Sequence, residues 1–475
     1  MSLMPVVLWT DLLIYILLGC VLAFALYARS KEHLRAPWRQ VIRSKAGMAS
    51  LVVLLVYLII GLLDSFHYRP QIENPQNIGK AHYSSEVLSV FDYLATPLRE
   101  RDEKTYSAPF ATHLFSKETV EQPDGTSLRI FPRLRFGGAH LANPAKYRTA
   151  DIAMILFYSS LKAGALWILL IAMVSLMLAR KGKIGVGDVL ENITCDQYAI
   201  PWRTILTTTG ILLVVVWASA DLSLKYHIFG TDKVGQDVFY QTLKSIRTGL
   251  VIGTLTTLIM LPFAVLLGIS AGYFRGWVDD VIQYLYTTLN SIPGVLLIAA
   301  AVLMLQVYMS NNPDMFETSV ERADLRLLFL CIILGITSWT GLCRLLRGET
   351  LKLRELDYIQ AATAFGVKHS KIIGRHILPN VMHIVLIAVV LDFSGLVLAE
   401  AVLSYVGVGV DPTMNSWGNM INSARLEMAR EPMVWWSLAA AFIFMFTLVL
   451  AANLFSDAVR DAFDPRLRQT LETDQ

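Results

Sequence analysis

Nine apolar runs, each long enough to cross a lipid bilayer, dominate this sequence. They cover residues 6–27, 47–65, 154–179, 204–221, 247–273, 282–308, 325–343, 382–406 and 435–456. A membrane-spanning helix needs about 20 mostly apolar residues. Because hydrocarbon offers no partner to backbone polar groups, a spanning segment has to satisfy them internally, which favours helices. The sequence therefore predicts an all-α integral membrane protein with about nine transmembrane helices.

Composition agrees with this prediction. The chain has 475 residues, of which 55% are hydrophobic and 17% charged, whereas soluble domains contain about 25% charged residues. A net charge of +3 gives no reason to expect nucleic acid as a partner. Cys20, Cys195, Cys331 and Cys343 lie far apart, without metal-ligand spacing or a disulfide pattern. We therefore predict no metal site, and we interpret these cysteines as small apolar side chains.

Positive charges in short segments predict the orientation of the chain. Lysine and arginine are concentrated in residues 28–46, 180–203 and 344–381 and in the tail. Because cytoplasmic loops carry the excess of these residues, we expect the N-terminus outside and the C-terminus in the cytoplasm. The first apolar run is longer than a signal-peptide core and follows no basic segment, so we expect it to stay in the membrane.

The chain is predicted to divide into four parts. Two N-terminal transmembrane helices occupy 1–65, an external (periplasmic) insert occupies 66–153, two further transmembrane helices lie in 154–221, and a core occupies 222–468. Within the insert, "SSEVLSVFDYLATPL" indicates an amphipathic helix and "SLRIFPRLRF" an edge strand broken by proline. The polar stretch after Gly235 is interpreted as an amphipathic helix on the membrane surface.

The polar stretch "YIQAATAFGVKHSKIIGRHILPN", residues 358–380, lies between two apolar runs. Its first half is helix-prone, and Gly366 is placed to end that helix in a left-handed turn. Ser370 is expected to cap a second short helix, which Pro379 is expected to end. We therefore predict a compact two-helix element on the cytoplasmic face, named here the knob.

The knob resembles the signature loop of inner-membrane permease subunits of dipeptide/oligopeptide-type, binding-protein-dependent ABC importers. Ala361, Ala362 and Gly366 match the family pattern, "RHILPN" matches its extended form, and Gln360 replaces the usual glutamate. Three further blocks, 230–253, 268–297 and 398–421, are similar to the same permeases and occur in the family order. In the first of these blocks glutamine stands where the family has arginine. The resemblance covers about 204–468 and implies an ABC-importer permease core with a coupling loop at 347–380.

The resemblance implies a transport subunit with separate partners. These would be a second homologous permease, two ABC ATPase subunits, a periplasmic or lipid-anchored substrate-binding protein, a peptide substrate and membrane lipid, in the cell inner (cytoplasmic) membrane. The residues expected to couple the chain to the ATPases are Gln360, Ala361, Ala362, Gly366, Val367, Lys368, Ile373, His376 and Pro379.

No catalytic residues are predicted. The run "GKIGVGD" lacks the Gly-Lys-Ser/Thr ending that contacts nucleotide phosphates. We therefore expect no cofactor in this chain and expect ATP and magnesium to bind the partner ATPases. Ionisable residues inside membrane segments are functional candidates. Asp392 and Glu400, eight residues apart on one apolar run and roughly on one face, could line the substrate pathway, with packing or gating as the alternative for Glu400.

Several alternatives stay open at this point. The same architecture could carry nickel, a sugar or an antimicrobial peptide, or the chain could be a non-transport membrane scaffold that retains the permease core. Either span 47–65 or span 204–221 could occupy the usual first core position. The insert could dock the binding protein or serve as a scaffold. Deletion of residues 70–150 separates these two roles, because unchanged binding-protein-stimulated ATP hydrolysis would exclude docking.

Overall fold

The computed structural model describes residues 3–29, 32–72, 82–84, 86–121, 127–312 and 318–463. Helices account for most of these residues. In chain order the helices are α1 (Trp9–Arg29), α2 (Glu32–Arg43), α3 (Lys45–Ser65), α4 (Val90–Leu94), α5 (Thr96–Arg99), α6 (Pro144–Gly182), α7 (Val186–Thr194), α8 (Trp202–Ser223), α9 (Val238–Phe274), α10 (Gly276–Ser291), α11 (Gly294–Asn311), α12 (Ser319–Ser338), α13 (Thr340–Arg354), α14 (Asp357–Ala364), α15 (His369–Ile372), α16 (Leu378–Tyr405), α17 (Trp417–Glu427) and α18 (Trp436–Phe463). A π-helical turn, Ile373–Ile377, joins α15 to α16.

Among the residues that the structure describes, six short strands form two small sheets within positions 3–130. The strands are β1 (Leu3–Val6), β2 (His67–Ile72), β3 (His82–Tyr83), β4 (Leu88–Ser89), β5 (Glu118–Glu121) and β6 (Ser127–Ile130). In the first sheet β2 pairs antiparallel with β1, β3 and β4. In the second, β5 and β6 form an antiparallel pair. Only the first part of the predicted strand at 127–136 is confirmed: β6 ends at Ile130, and after Pro132 only an isolated bridge joins Arg133 to His113.

The structure supports nine membrane crossings in its described part. Eight helical stretches are long and apolar enough to span a bilayer, and the apolar part of α1, Trp9–Ala23, is shorter. Val6 of β1 pairs with His67 of β2, so the chain between them has to cross the membrane an even number of times. Because α3 crosses once, α1 supplies the second crossing. The all-α membrane fold with about nine helices is therefore confirmed.

The predicted single span at 282–308 was wrong. The chain instead forms α10 and α11, which are separated at Ile292 and Pro293. Proline has no N–H to donate within a helix and disfavours helical geometry in the residue before it, and Ile292 accordingly adopts extended backbone angles. The dipeptide Pro293-Gly294 is a turn signal that the hydropathy pattern obscured.

Two smaller predictions, both for segments that the sequence analysis expects outside the membrane, also need correction. The "SSEVLSVFDYLATPL" stretch does not form one amphipathic helix; it contains β4 followed by the short helices α4 and α5. The polar stretch after Gly235 is not a separate surface helix, because α9 runs without interruption from Val238 into its apolar part. The Oδ1 atom of Asp237 accepts hydrogen bonds from the amides of Phe239 and Tyr240 at 2.8 and 3.2 Å, and so caps the start of that long helix.

The chain divides into two compact units. One contains residues 1–6, 39–247 and 415–454, and the other contains residues 7–38, 248–414 and 455–475. The first unit holds both sheets and the insert, and the second holds the knob. The four-part domain division drawn from the sequence stays a prediction.

A buried ionic cluster fastens the insert within the first unit. His227 Nδ1 lies 2.6 Å from Asp237 Oδ2, and His227 Nε2 lies 3.5 Å from Glu103 Oε1. The Glu103 carboxylate also accepts hydrogen bonds from the amides of residues 135–137, at 2.8–3.3 Å. Burial opposes the charge of His227, but its contacts with the two carboxylates prevail and raise its pKa to about 9. His227 is therefore charged at neutral pH.

This cluster predicts that the first unit loses stability at alkaline pH. A histidine whose folded-state pKa lies above its unfolded value near 6.5 contributes stability fully below pH 6.5, and that contribution is lost as pH rises through about 9. We expect the thermal unfolding midpoint of the purified protein to fall between pH 6.5 and 9. The variant His227→Gln should be less stable at pH 6.5 and should lose this pH dependence. Equal slopes in the two proteins would contradict the assignment.

A second ionic cluster joins the insert and the end of α3 to α9. The Nζ atom of Lys244 lies 2.6 Å from both oxygens of Asp92 and 3.6 Å from Asp64 Oδ1. Tyr240 donates a hydrogen bond to Asp92 at 2.7 Å, and Ser89 donates one to Asp64 at 2.6 Å. Burial would raise the pKa of Asp92, but the charge of Lys244 and the hydrogen bonds from Lys244, Ser89 and Tyr240 together outweigh it, so the pKa lies below its usual value. One ammonium group thus neutralises part of two buried carboxylates.

The second unit is held together by apolar and polar contacts between helices. Its largest apolar cluster includes the side chains Met260, Leu342, Leu346, Ile372 and Val385, which come from α9, α13, α15 and α16. Within the same unit α1 packs on α12, where the amide and hydroxyl of Thr10 donate to the carboxylate of Asp324. These contacts explain how an N-terminal helix that precedes the core can be part of the unit that carries the knob.

Candidate coupling site

The first turn of the knob has the geometry that its sequence predicts. Helix α14 ends at Ala364, and Gly366 follows with a left-handed φ of 72°. The amide of Gly366 bonds to the carbonyl of Thr363 at 3.0 Å, and the amide of Val367 bonds to that of Ala362 at 3.1 Å. This pair of hydrogen bonds is the Schellman arrangement, in which glycine tolerates the left-handed conformation best.

The second half of the knob differs from the prediction in two respects. Lys368, and not Ser370, is the residue that precedes α15, so Ser370 lies inside the first turn. Pro379 does not end the helix; it lies at the start of α16, and the helix continues from α15 through the π-helical turn. The π turn is one residue wider than an α-helical turn and carries the bond from the Leu378 amide to the Ile373 carbonyl. We attribute its position to Pro379, whose ring would otherwise press on the preceding turn.

The knob has an apolar inner face. Ile359, Ile372 and Ile377 are almost completely buried, and all three belong to the main apolar cluster of the second unit. Three of the predicted coupling residues, Ala362, Val367 and Ile373, are half-buried against the same cluster. Their contacts with this cluster position the knob within its unit, and their coupling role stays a prediction.

The remaining predicted coupling residues lie on or near the outer face. Gln360, Ala361, Gly366, Lys368 and Pro379 are exposed, and His376 is half-buried. The side-chain amide of Gln360 donates a hydrogen bond to the backbone carbonyl of Glu355 at 3.1 Å, so the side chain that replaces the family glutamate is bonded within its own chain. The ring of His376 lies 5.9 Å from that of Tyr358, and this contact links the two halves of the knob.

Polar contacts anchor the knob to neighbouring helices of its unit. Tyr273, near the end of α9, has its hydroxyl 2.8 Å from His369 Nδ1 and accepts a hydrogen bond from Arg354 at its carbonyl, at 2.7 Å. Arg347 of α13 donates two hydrogen bonds to the carboxylate of Asp279 on α10, at 2.6 and 2.7 Å. These hydrogen bonds hold the pKa of Asp279 below its usual range. A fork-to-carboxylate pair fixes orientation as well as distance, so the helix that leads into the knob is held rigidly.

The outer face also carries a residue that the sequence analysis missed. Phe365 is 88% exposed, more than any other large apolar side chain in the described part of the chain. It caps α14 immediately before the glycine turn and so projects from the apex of the knob. An aromatic residue inside a polar stretch was the available signal, but exposure can be established only from the folded structure.

The two predicted pathway residues have different surroundings. Glu400 is buried, and its Oε1 atom accepts a hydrogen bond from Ser404 at 2.7 Å. Asp392 is half-buried, and within the described residues no hydrogen bond or ion pair is found for it. Eight residues correspond to a rotation of about 80° around a helix, so the two carboxylates do not share one face closely. Among the described residues, no group of His, Cys, Asp and Glu side chains is arranged to hold a metal ion.

Comparison with known proteins identifies the family. Residues 264–469 match the family model described as "Binding-protein-dependent transport system inner membrane component". The glutathione transport system permease protein GsiD of Pectobacterium atrosepticum is 33% identical over 244 residues, which cover 51% of this chain and 73% of the relative. The chain belongs to this permease family.

Two further relatives agree with this assignment. The permease is 30% identical to the dipeptide transport system permease protein DppC of Bacillus subtilis, over 51% of this chain and 70% of the relative. It is also 30% identical to the oligopeptide transport system permease protein OppC of Haemophilus influenzae, over 51% and 71%. The resemblance predicted from the knob is therefore confirmed. The family match begins within α9 and includes the whole knob, so the permease carries its insert outside the matched region.

Proposed function

We propose that the permease forms a translocation pathway for peptides together with a second, homologous permease subunit. Separate ATPase subunits would bind the knob, and a substrate-binding protein would deliver the peptide from outside. The observation that carries this proposal is the structure of the knob. It is an element outside the apolar spans, rooted in the core of its unit, with an exposed aromatic apex and a second helix continuous with a membrane span.

The relatives support peptides as the substrate class. The similar permeases are named for the transport of glutathione, dipeptides and oligopeptides, all of which contain peptide bonds. A peptide amine would be attracted by a carboxylate within the membrane. Of the two candidates, Asp392 suits this role better, because Glu400 is buried and already bonded to Ser404. The role of Asp392 as a pathway residue is tested by Asp392→Asn. This variant should weaken uptake of peptides with a free N-terminus more than uptake of N-acetylated peptides.

The ATPase site is proposed to lie in the partner subunits, together with ATP and magnesium. The glycine-rich run Gly182–Asp188 of this chain joins two helices, α6 and α7, and Gly185 precedes the second of them. A phosphate-binding loop of the usual kind follows a strand and ends in Gly-Lys-Ser/Thr. This run has neither feature, which supports a permease that depends on a separate source of energy.

The proposed orientation places the knob in the cytoplasm and the insert outside. The insert shares one face with residues 231–237 and 427, because Ser107 bridges to Thr231 and Tyr106 bonds to Glu427 at 3.2 Å. If α16 crosses the membrane once between the knob and residue 427, the knob would be on the side opposite the insert. The knob also belongs to a segment rich in arginine and lysine, as cytoplasmic segments are.

In the proposed mechanism the knob is a lever. Closure of the ATPase pair would displace the knob as a rigid body, and α15 would transmit that displacement through the π turn directly into the span α16. The Arg347–Asp279 pair would hold α13 in place. The movement would then change the pathway and would not be lost as bending between α13 and the knob. Alternating exposure of the pathway to the two sides of the membrane follows from such an input.

Cross-linking tests this proposal directly. In a background with Cys20 and Cys195 replaced by serine, Thr363→Cys places a reactive thiol on the exposed outer face of α14; the remaining cysteines, Cys331 and Cys343, are buried. We expect a bifunctional cross-linker to join this position to a nucleotide-hydrolysing subunit in native membranes. The matched control, Leu128→Cys on the exposed strand β6 of the insert, should give no such product. Capture of the ATPase from residue 128, or from neither position, would contradict the proposal.

A further inference from the structure

A groove lies between α6 and α8 in the first unit, on two helices whose surfaces are largely exposed. Its volume is about 420 Å³, within the range of roughly 300–1,000 Å³ that is common for small-molecule sites. Its walls include Gly164, Trp167, Thr207, Gly210, Ile211 and Val214. The groove is part of two membrane spans and is therefore open to lipid.

Glycines and one tryptophan create the concave shape. A Cβ atom added to Gly164 would meet nothing within 4 Å, so the space in front of it is open. The ring of Trp167, on α6, lies over Gly210 of α8. A Cβ atom added to Gly210 would come within 2.7 Å of the ring nitrogen. The Trp167 N–H donates to the carbonyl of Leu206 at 2.7 Å, which fixes the ring as one wall of the groove.

The groove has no polar group that requires a polar ligand. The indole N–H of Trp167 is bonded as described, and the hydroxyl of Thr207 donates to the carbonyl of Arg203 at 2.9 Å. The other wall residues are apolar or are glycines. Because every polar side chain in the wall is already satisfied, the part of the ligand inside the groove has to be hydrocarbon.

One end of the groove is cationic. Arg203 precedes Thr207 by four residues, and side chains at this spacing lie on one face of a helix, so the exposed Arg203 continues the wall toward the end of the span. One of its N–H groups contacts the carbonyl of Thr194 at 3.4 Å, and guanidinium has five N–H donors in all. Arg180 and Lys181 in the last turn of α6, and Lys183 directly after it, are also exposed. A hydrocarbon groove that ends at clustered positive charge is complementary to a lipid with an anionic headgroup.

We propose that this groove is a binding site for an anionic glycerophospholipid. One acyl chain lies between α6 and α8 against Trp167, and the phosphate of the headgroup binds Arg203. The site belongs to helices that precede the region matched by the family model, and it is independent of the proposed peptide transport.

Native mass spectrometry of the purified full-length permease complex tests the site. The probe is a nanodisc with equal parts of phosphatidylglycerol and phosphatidylcholine, and the readout is the lipid that stays bound after release. We expect the wild type to retain phosphatidylglycerol. Gly164→Leu should fill the groove and reduce retention about tenfold. Its matched control is Ala165→Leu, an exposed neighbour outside the groove wall, which should retain lipid as the wild type does.

Arg203→Gln provides a second, independent test. Loss of one cationic contact with a lipid headgroup is expected to reduce the preference for phosphatidylglycerol over phosphatidylcholine about fivefold, while the acyl chain still binds. Equal thermal unfolding midpoints of the variants and the wild type would show that folding is unaffected. The proposal is overturned if Gly164→Leu and Ala165→Leu retain equal lipid, if Arg203→Gln keeps the full preference, or if a cross-linker at Ile211→Cys captures a helix of another subunit in the groove.

Discussion

Replacing Phe365 by alanine is expected to weaken ATPase binding about 30-fold. Phe365 is 88% exposed at the apex of the knob, where its ring would enter a pocket of the partner. Central aromatic anchors of this kind contribute about 2 kcal/mol or more to an interface, which corresponds to about 30-fold in affinity. Because the ring has so little contact with its own chain, the variant should fold normally. Affinity is measured by titrating purified ATPase subunits onto the permease complex in nanodiscs, and ATP hydrolysis should fall with it.

The control for this experiment is Ile184→Ala. Ile184 is 43% exposed in the connection between α6 and α7, and the proposed orientation places it on the same side of the membrane as the knob. We expect this variant to bind the ATPase as the wild type does. Equal affinities for Phe365→Ala and the wild type, or equal losses in both variants, would show that the apex of the knob is not the contact.

Replacing Lys244 by methionine is expected to destabilise the first unit by about 3–5 kcal/mol. The side chains of Asp92 and Asp64, 2% and 4% exposed, would lose the ammonium that lies 2.6 and 3.6 Å from them. Removing one partner of a buried ion pair leaves an uncompensated charge, which explains the large effect. The measurement is the free energy of unfolding of the purified protein in denaturant. Addition of Asp92→Asn to Lys244→Met should recover part of the loss, because it removes one unpaired carboxylate.

An exposed ion pair of the same insert is the matched control. Lys104 lies 2.7 Å from Glu118, but the lysine side chain is 71% exposed. Pairs of this kind contribute about 0–1 kcal/mol, so Lys104→Met should have little effect on stability. If Lys244→Met is no more harmful than Lys104→Met, the cluster that joins the insert to α9 does not have the role assigned to it.

The transmembrane pattern could be predicted from the sequence because bilayer thickness sets the length of an apolar run. The break at Pro293 could not be read from hydropathy, since residues 282–308 are apolar enough on average to be taken for one span, although α10 is the less apolar of the two helices that they contain. Length and hydropathy report where a chain is buried in lipid. They do not report where its backbone hydrogen bonds are interrupted.

The knob shows the same limit on a smaller scale. Gly366 was predicted correctly, because a left-handed turn depends on the backbone of one residue. Ser370 and Pro379 were interpreted by rules for helices that begin and end in water, whereas α15 continues into a membrane span. The exposure of Phe365 depends on how α14 packs against the rest of its unit, and a single sequence does not contain that information. The two ionic clusters of the first unit likewise join residues more than 100 positions apart.

The π turn at Ile373–Ile377 determines the rotational position of the knob about the axis of α16. It holds one residue more than a regular helical turn would, and each residue of a helix turns the chain by about 100°. Loss of a single amino acid here would swing Phe365 to another side of the molecule while leaving the composition almost unchanged. The number of residues between the glycine turn and Pro379 thus sets the direction in which the knob projects. Insertions or deletions in this stretch can change that direction only by one residue's rotation at a time.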